Sequence, residues 1–258
     1  MTAKKAVITG ASRGIGFAIA RRLAEDGAEI GLIASNEERL KAAAALIHER
    51  TGRPAIWHAA DLRTLEGCQQ AHLMIEEALG GCDILVNGAS ATKGGVWPVQ
   101  PDEEWEDGFA LKFYSAVRLA RLFWPALVTA RGRVINIVGG FARTPAADFM
   151  IGGAVNAALA NFSKALAAQG LRDDVNVNWV HPGLTVTERL DRIFEDRAKQ
   201  QGKTREQVER ETIAHEGVRR LGQPEDVAAL VAFLCSDEAR HIQGTALQID
   251  GGGTPGYY

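Results

Sequence analysis

The segment Thr9-Gly10-Ala11-Ser12-Arg13-Gly14-Ile15-Gly16 constrains this chain more than any other. It follows a short apolar run, Lys5 to Thr9, and opens an amphipathic pattern, so it reads as strand, glycine turn and helix. Gly10 permits the tight turn. Gly14 lets the backbone approach a pyrophosphate, and Gly16 lets helix and strand pack closely. The N–H groups of the first helical turn then face the anion, so Ser12, Arg13 and Ile15 join the three glycines as expected contacts of a dinucleotide. Glycines alone often mark ordinary turns; the strand-turn-helix setting gives these their meaning.

Short β-branched runs alternate with longer helical patterns along the rest of the chain, which predicts βαβ units and a parallel sheet. The strands are expected at Lys5 to Thr9, Glu29 to Ala34, Ala55 to Ala59, Ile84 to Asn87, Arg133 to Val138, Val175 to Val180 and Ala246 to Ile249. The helices are expected at Ile15 to Asp26, Glu37 to Arg50, Leu65 to Leu79, Trp105 to Thr129, Ile151 to Gln169 and Glu225 to Cys235. Right-handed crossovers place helices on both faces, giving an α/β, Rossmann-type doubly wound sheet of about seven strands. With 258 residues, 46% of them hydrophobic, the chain has material for one large core, so a single dinucleotide-binding domain over 1–258 is expected. The stretch 187–217 breaks the rhythm, because Arg189, Asp191, Arg192, Glu195, Asp196 and Arg197 crowd it with charge. Lying after the sixth strand, at the carboxyl edge where ligands bind, it reads as a mobile substrate lid; a solvated pair of surface helices is the plainer alternative.

The charge balance, 29 basic against 32 acidic residues, gives no electrostatic footprint for nucleic acid or an anionic membrane. Cys68, Cys82 and Cys235 lie far apart with no metal-ligand spacing, so no metal site is expected and buried thiols in a reducing compartment are. No segment reaches about 18 uninterrupted apolar residues, and Met1 to Thr9 runs straight into a strand without a signal-peptide core. A cytoplasmic protein acting on a small molecule is the expectation.

The TGxxxGxG spacing resembles the classical short-chain dehydrogenase/reductase family, in its β-ketoacyl carrier-protein reductase-like subgroup, and further similarities run across nearly the whole chain. Asp61-Leu62 resembles the family's adenine contact, Asn87-Gly88-Ala89 its NAG segment, and His181-Pro182-Gly183 with Thr187 the PGxxxT segment that closes over the nicotinamide carboxamide. Arg220 to Ala228 and Ile249-Asp250-Gly251-Gly252 resemble its C-terminal signatures.

A Rossmann domain selects NAD by a carboxylate at the end of the second strand. Here that end reads Ile33-Ala34-Ser35-Asn36. Nothing there repels a 2′-phosphate, Arg13 can pair with it, and Ser35 and Asn36 can add hydrogen bonds, so NADP(H) is expected over NAD(H). The competing reading leaves Arg13 covering the loop and gives Glu37 or Glu38 the capping of the next helix.

The resemblance implies hydride transfer assisted by a Tyr, a Lys, a Ser and an Asn. Aligning on Ala157 to Ala167, which resembles the segment beyond the family's lysine, puts Gly152 at the Tyr position and Asn156 at the Lys position. The Ser position falls on Gly139 and the Asn position on Lys112. The only tyrosines are Tyr114, Tyr257 and Tyr258, and Lys164, the one lysine on the expected Ile151 to Gln169 helix, reads as part of its solvated face. Of six scattered histidines, His181 lies nearest the expected nicotinamide. Lys112 and Asn156 exchange the family's two residue types, and their side chains are expected to approach one space; alternatively Lys112 snorkels or pairs with a carboxylate such as Glu106. Gly152 is expected to open volume for a bulkier substrate or a water.

The reading is therefore an NADP(H)-dependent oxidoreductase on an unknown carbonyl or hydroxyl substrate with an atypical site. A noncatalytic dinucleotide-binding protein and non-redox chemistry on the same fold are the alternatives. The resemblance also implies a homotetramer or homodimer through the Trp105 to Thr129 and Ile151 to Gln169 helices, with the Gly256-Tyr257-Tyr258 tail adding contacts.

Overall fold

The central strands are apolar on both sides. In β1 (Lys5–Thr9) Ala6 and Ile8 enter one core and Val7 the opposite one; in β4 (Ile84–Asn87) Ile84 and Val86 oppose Leu85. Alternation with both faces buried requires helices on both. The first face is covered by α1 (Gly14–Glu25), α2 (Glu37–Thr51) and α9 (Pro224–Cys235), the second by α3 (Leu65–Leu79), α5 (Ser115–Ala130) and part of α6 (Met150–Asp173). The computed structural model describes residues 3–255, so the contacts expected of the C-terminal tail fall outside the described residues.

The sheet adds β2 (Glu29–Ala34), β3 (Ala55–Ala59), β5 (Arg133–Ile137), β6 (Asn176–Pro182) and β7 (Ala246–Ile249). Its seven strands run parallel in the order β3-β2-β1-β4-β5-β6-β7. Val7 registers with Gly31 on one side and Leu85 on the other, so the order reverses between β1 and β4, where open α/β sheets leave a crevice for ligand. β6 runs two residues past the expected Val180: His181 and Pro182 stay in register with Gln248 and Ile249. Proline is tolerated there because it closes the strand.

The long helix expected at Trp105 to Thr129 is not continuous. It consists of α4 (Asp102–Gly108), a π-helical turn over Phe109–Tyr114 and then α5. The π turn holds one extra residue per turn, a change that hydrophobic periodicity does not register, and such turns frequently occur at functional sites. Lys112 lies within it.

The charged stretch 187–217 forms two helices, α7 (Glu188–Gln201) and α8 (Arg205–Glu216). They share a small core of their own, with Leu190, Phe194, Ala198 and Val208 packed with Leu221. The apolar spacing of Leu190, Phe194 and Ala198 creates one stripe amid the charges.

Candidate active site

The glycine loop docks on the segment after β4. A Cβ on Gly10 would lie 2.8 Å from the Gly88 carbonyl oxygen, and one on Gly16 would lie 2.4 Å from that of Gly10, so neither position admits a larger residue as the backbone stands. The Thr9 hydroxyl ties the loops together by accepting from the N–H groups of Gly88 (3.0 Å) and Ala89 (3.1 Å). Asn87 is buried, and its Nδ2 donates to Asn136 (2.8 Å). The first turn of α1 has no side-chain cap and no acidic residue, which leaves the positive end of the helix open to an anion. These residues fit a pyrophosphate.

Thr187 caps α7, and its methyl lies 3.4 Å from where a Gly14 Cβ would stand, so the segment after β6 folds against the glycine loop. Gly183 packs tightly on Asp250 and donates its N–H to the Ile249 carbonyl (3.1 Å). Across the crevice, Asp61 follows β3 and accepts from the backbone N–H (3.1 Å) and guanidinium (3.2 Å) of Arg63, with Leu62 buried beside it.

At the end of β2, Ser35 is exposed and Asn36 caps α2, its Oδ1 accepting from Arg39 N (2.9 Å). The cap is thus Asn36 itself rather than Glu37 or Glu38, and only its Nδ2 remains for a ligand. Arg13 and Arg39 converge on one oxygen, Oε2 of Glu188, at the start of α7. Arg13 holds the Glu188 carboxyl below the usual carboxylate range, so it stays ionised. Sequence reasoning missed Arg39; its place in the turn after the Asn36 cap was the available signal.

Of the four positions singled out by resemblance, Gly139 adjoins Asn156, and Lys112 reaches the residue before Gly139. Gly139 has φ +115°, a conformation that L side chains rarely adopt, and a Cβ there would lie 3.0 Å from Asn156 Nδ2. The Gly139 carbonyl accepts from His181 Nδ1 (2.7 Å), and the preceding carbonyl, of Val138, accepts from the Lys112 ammonium. Lys112 and Asn156 therefore border successive residues of the chain, Val138 and Gly139. Lys112 is only 8% exposed, and its ammonium turns to the Val138 carbonyl instead of to solvent or to Glu106. Burial, with the nearby Arg189 charge, pushes its pKa down to about 7. Burial likewise lowers that of His181, against the opposing bond to Gly139. The Asn156 Oδ1 is buried and receives no hydrogen bond from the described residues.

Gly152 opens no volume, contrary to expectation. A Cβ there would lie 1.8 Å from the Phe149 ring, which occupies the space. Phe149 packs on Phe141 at 5.0 Å between centroids, and the Arg189 guanidinium lies 5.7 Å over its face. Phe149 was not singled out from sequence because it precedes the helix by one residue, where periodicity carries no information. Lys164 is exposed, and its ammonium donates to the Gly244 carbonyl (2.7 Å), away from this cluster in sequence and partner.

All three cysteines are buried and free, and burial pushes the Cys235 thiol up to about 12, so it stays protonated. Among the described residues no three His, Cys, Asp or Glu side chains come together to hold a metal, and no helix is long and apolar enough to cross a membrane.

The family model described as enoyl-(acyl carrier protein) reductase matches residues 10–254. The 3-oxoacyl-(acyl-carrier-protein) reductase of Haemophilus influenzae is 31% identical over 256 residues, covering 98% of each chain. The L-sorbose reductase of Gluconobacter frateurii, solved with NADPH and L-sorbose, superposes with a TM-score of 0.95 at 33% identity, covering 100% of this chain and 98% of its own. A short-chain oxidoreductase of Pseudomonas aeruginosa PAO1, described as containing an atypical catalytic center and solved with NADPH, has a TM-score of 0.89 at 27% identity, covering 99% and 98%. With its glycine loop docked at the reversal of a seven-stranded parallel sheet and its sequence matched almost end to end, the chain belongs to the classical short-chain dehydrogenase/reductase family of oxidoreductases.

Proposed function

We propose that this chain is an NADP(H)-dependent oxidoreductase that interconverts a carbonyl and a hydroxyl group, with Lys112 handling the proton. The observation that carries the proposal is the buried Lys112 ammonium on the Val138 carbonyl, next to Gly139 and, through it, to His181 and Asn156. An ammonium with a pKa near 7 both loses and regains a proton at neutral pH, the condition for general acid-base catalysis. The dinucleotide, when bound, supplies or accepts the hydride. In reduction Lys112 gives its proton to the substrate oxygen and regains one from water; in oxidation the neutral amine takes the hydroxyl proton. Neutral His181 uses Nδ1 to hold the Gly139 carbonyl, and Asn156 Oδ1 is an acceptor for the substrate hydroxyl or for a bridging water.

For the cofactor, Gly10, Ser12, Gly14, Ile15 and Gly16 would hold the pyrophosphate, and Asp61 and Leu62 the adenine. Asn87, Gly88, Ala89, Pro182, Gly183 and Thr187 would border the nicotinamide end. Arg13 and Arg39, with Ser35 and the Asn36 amide, would take the 2′-phosphate, since the two guanidiniums already share one anionic oxygen. The NADPH held by the Gluconobacter and Pseudomonas relatives supports that choice. The α7–α8 pair serves as the substrate lid, and the exposed Tyr114 and Val128 side chains suit a subunit contact in a cytoplasmic homodimer or homotetramer.

The test is titration with NADPH and NADH, read by nicotinamide fluorescence. NADPH is expected to bind at least about tenfold more tightly, as a charge-assisted contact provides, and Arg13→Ala with Arg39→Ala to erase the difference. Equal affinities in the unaltered protein contradict the cofactor assignment.

A further inference from the structure

Arg189 neither gives nor takes the proton assigned to Lys112, although its charge helps lower the Lys112 pKa, and its guanidinium is fixed where three segments meet. It lies over the Phe149 ring at the start of α6, donates to the Thr92 carbonyl in the loop after β4 (2.6 Å), and belongs to the first turn of α7. A guanidinium has five N–H donors, and among the described residues only one hydrogen bond from it is made. Among the described residues no carboxylate pairs with Arg189 or with Lys112. Asp148, next to Phe149 in the chain, is exposed and does not figure among the charges acting on either cation. Lys112 is close enough for the two charges to repel; at His181 the positive charge of Arg143 and Lys112 is opposed by Asp250. Two neighbouring cations without a counter-ion, one of them buried, cost free energy that an anionic ligand recovers.

The apolar side of the same place is also defined. The Phe141 and Phe149 rings pack together, and Phe141 and Met150 each leave more than a third of their surface exposed. The site thus offers a planar, bidentate-capable cation and an aromatic wall within the electrostatic reach of the proposed proton donor.

Resting on the oxidoreductase reading, we propose that the substrate is a carbonyl compound bearing a carboxylate on an apolar body, an oxo acid, with the carboxylate held by Arg189 and the body against Phe141 and Phe149. Arg189 is a binding residue that selects the acid; beyond the charge it sets beside Lys112 it exchanges no proton with the substrate. Thr92 holds one guanidinium nitrogen and leaves the other donors for the carboxylate.

The test compares phenylglyoxylate with its neutral amide, phenylglyoxylamide, by isothermal titration of the protein saturated with NADP+. With the oxidised cofactor no hydride is available, so binding is read apart from turnover. Phenylglyoxylate is expected to bind roughly 10- to 100-fold more tightly than the amide, the range of a hydrogen bond to a charged group, with an advantage that shrinks as salt rises. Arg189→Gln should abolish the difference without weakening the amide, and Arg189→Lys should restore part of it. Equal affinities in the unaltered protein, including no detectable binding of either probe, overturn the inference, and so does an acid preference that survives Arg189→Gln. Oxidation of NADPH with neutral ketones as good as with oxo acids sinks this inference and leaves the oxidoreductase reading standing. Arg189-dependent binding of the acid with no NADPH oxidation by any carbonyl compound does the reverse.

Discussion

Replacing Lys112 by Met isolates the burden of the buried charge on the fold. The ammonium is pushed from its ordinary 10.5 to about 7, chiefly by burial. At about 1.4 kcal/mol per pH unit, this is a penalty on the order of 5 kcal/mol carried by the folded state while the lysine is protonated. Below pH 7 both folded and unfolded chains hold the proton and the penalty is complete. Between 7 and 10.5 the unfolded chain keeps a proton that the folded one has shed, so this residue makes stability rise with pH, and above that window the penalty is gone. Methionine preserves most of the volume and removes the charge, but leaves the Val138 carbonyl without its donor, at about 1–3 kcal/mol. The Met variant is therefore expected to be more stable than the parent near pH 6, by roughly 2 kcal/mol or more, and less stable near pH 10, so the two stability curves cross. Urea unfolding followed by circular dichroism, at one protein concentration because assembly shifts apparent stability, reads both arms. Curves that run parallel, with the variant weaker at every pH, refute the argument that Lys112 is desolvated and uncompensated.

Restoring the family's serine with Gly139→Ser should lower stability by about 1–3 kcal/mol, because φ +115° is strained for any L side chain and the new Cβ meets Asn156. Calorimetry showing an unchanged melting temperature would mean that the backbone relaxes freely there. Glu188→Gln should raise NADPH affinity several-fold and leave NADH affinity alone, since its carboxylate competes with a 2′-phosphate for Arg13 and Arg39; a fall in NADPH affinity on fluorescence titration contradicts that competition.

The parallel sheet was legible because β-branched runs such as Ala6-Val7-Ile8 alternate with helical stretches of sufficient length, and the glycine loop fixed where the crossover begins. The Asn87-Gly88-Ala89 segment was legible only by its resemblance to the family; the bonds from Gly88 and Ala89 to the Thr9 hydroxyl came from the fold. The site was legible only as positions. The exchange of residue types between positions 112 and 156 pointed to the Val138-Gly139 stretch that each borders on one side, but the π turn that carries Lys112 leaves no periodic trace. The volume at Gly152 was misjudged because its filler, Phe149, reaches back from outside the helix. The place of Arg39 after the Asn36 cap was legible and overlooked, whereas its pairing with Glu188, like that of Arg189 with Thr92, joins residues about 150 or 100 apart and is a tertiary fact.

The central claim is that Lys112 supplies the proton that the family's tyrosine otherwise provides, and the pH dependence of NADPH-driven carbonyl reduction tests it most directly. Because the protonated form is the donor, kcat/KM should fall as pH rises through about 7, and Lys112→Met should be slower near pH 6 by roughly the 10²- to 10⁴-fold typical of lost general acid catalysis, without that descending limb. A Lys112→Met enzyme that retains both the rate and the limb contradicts the account.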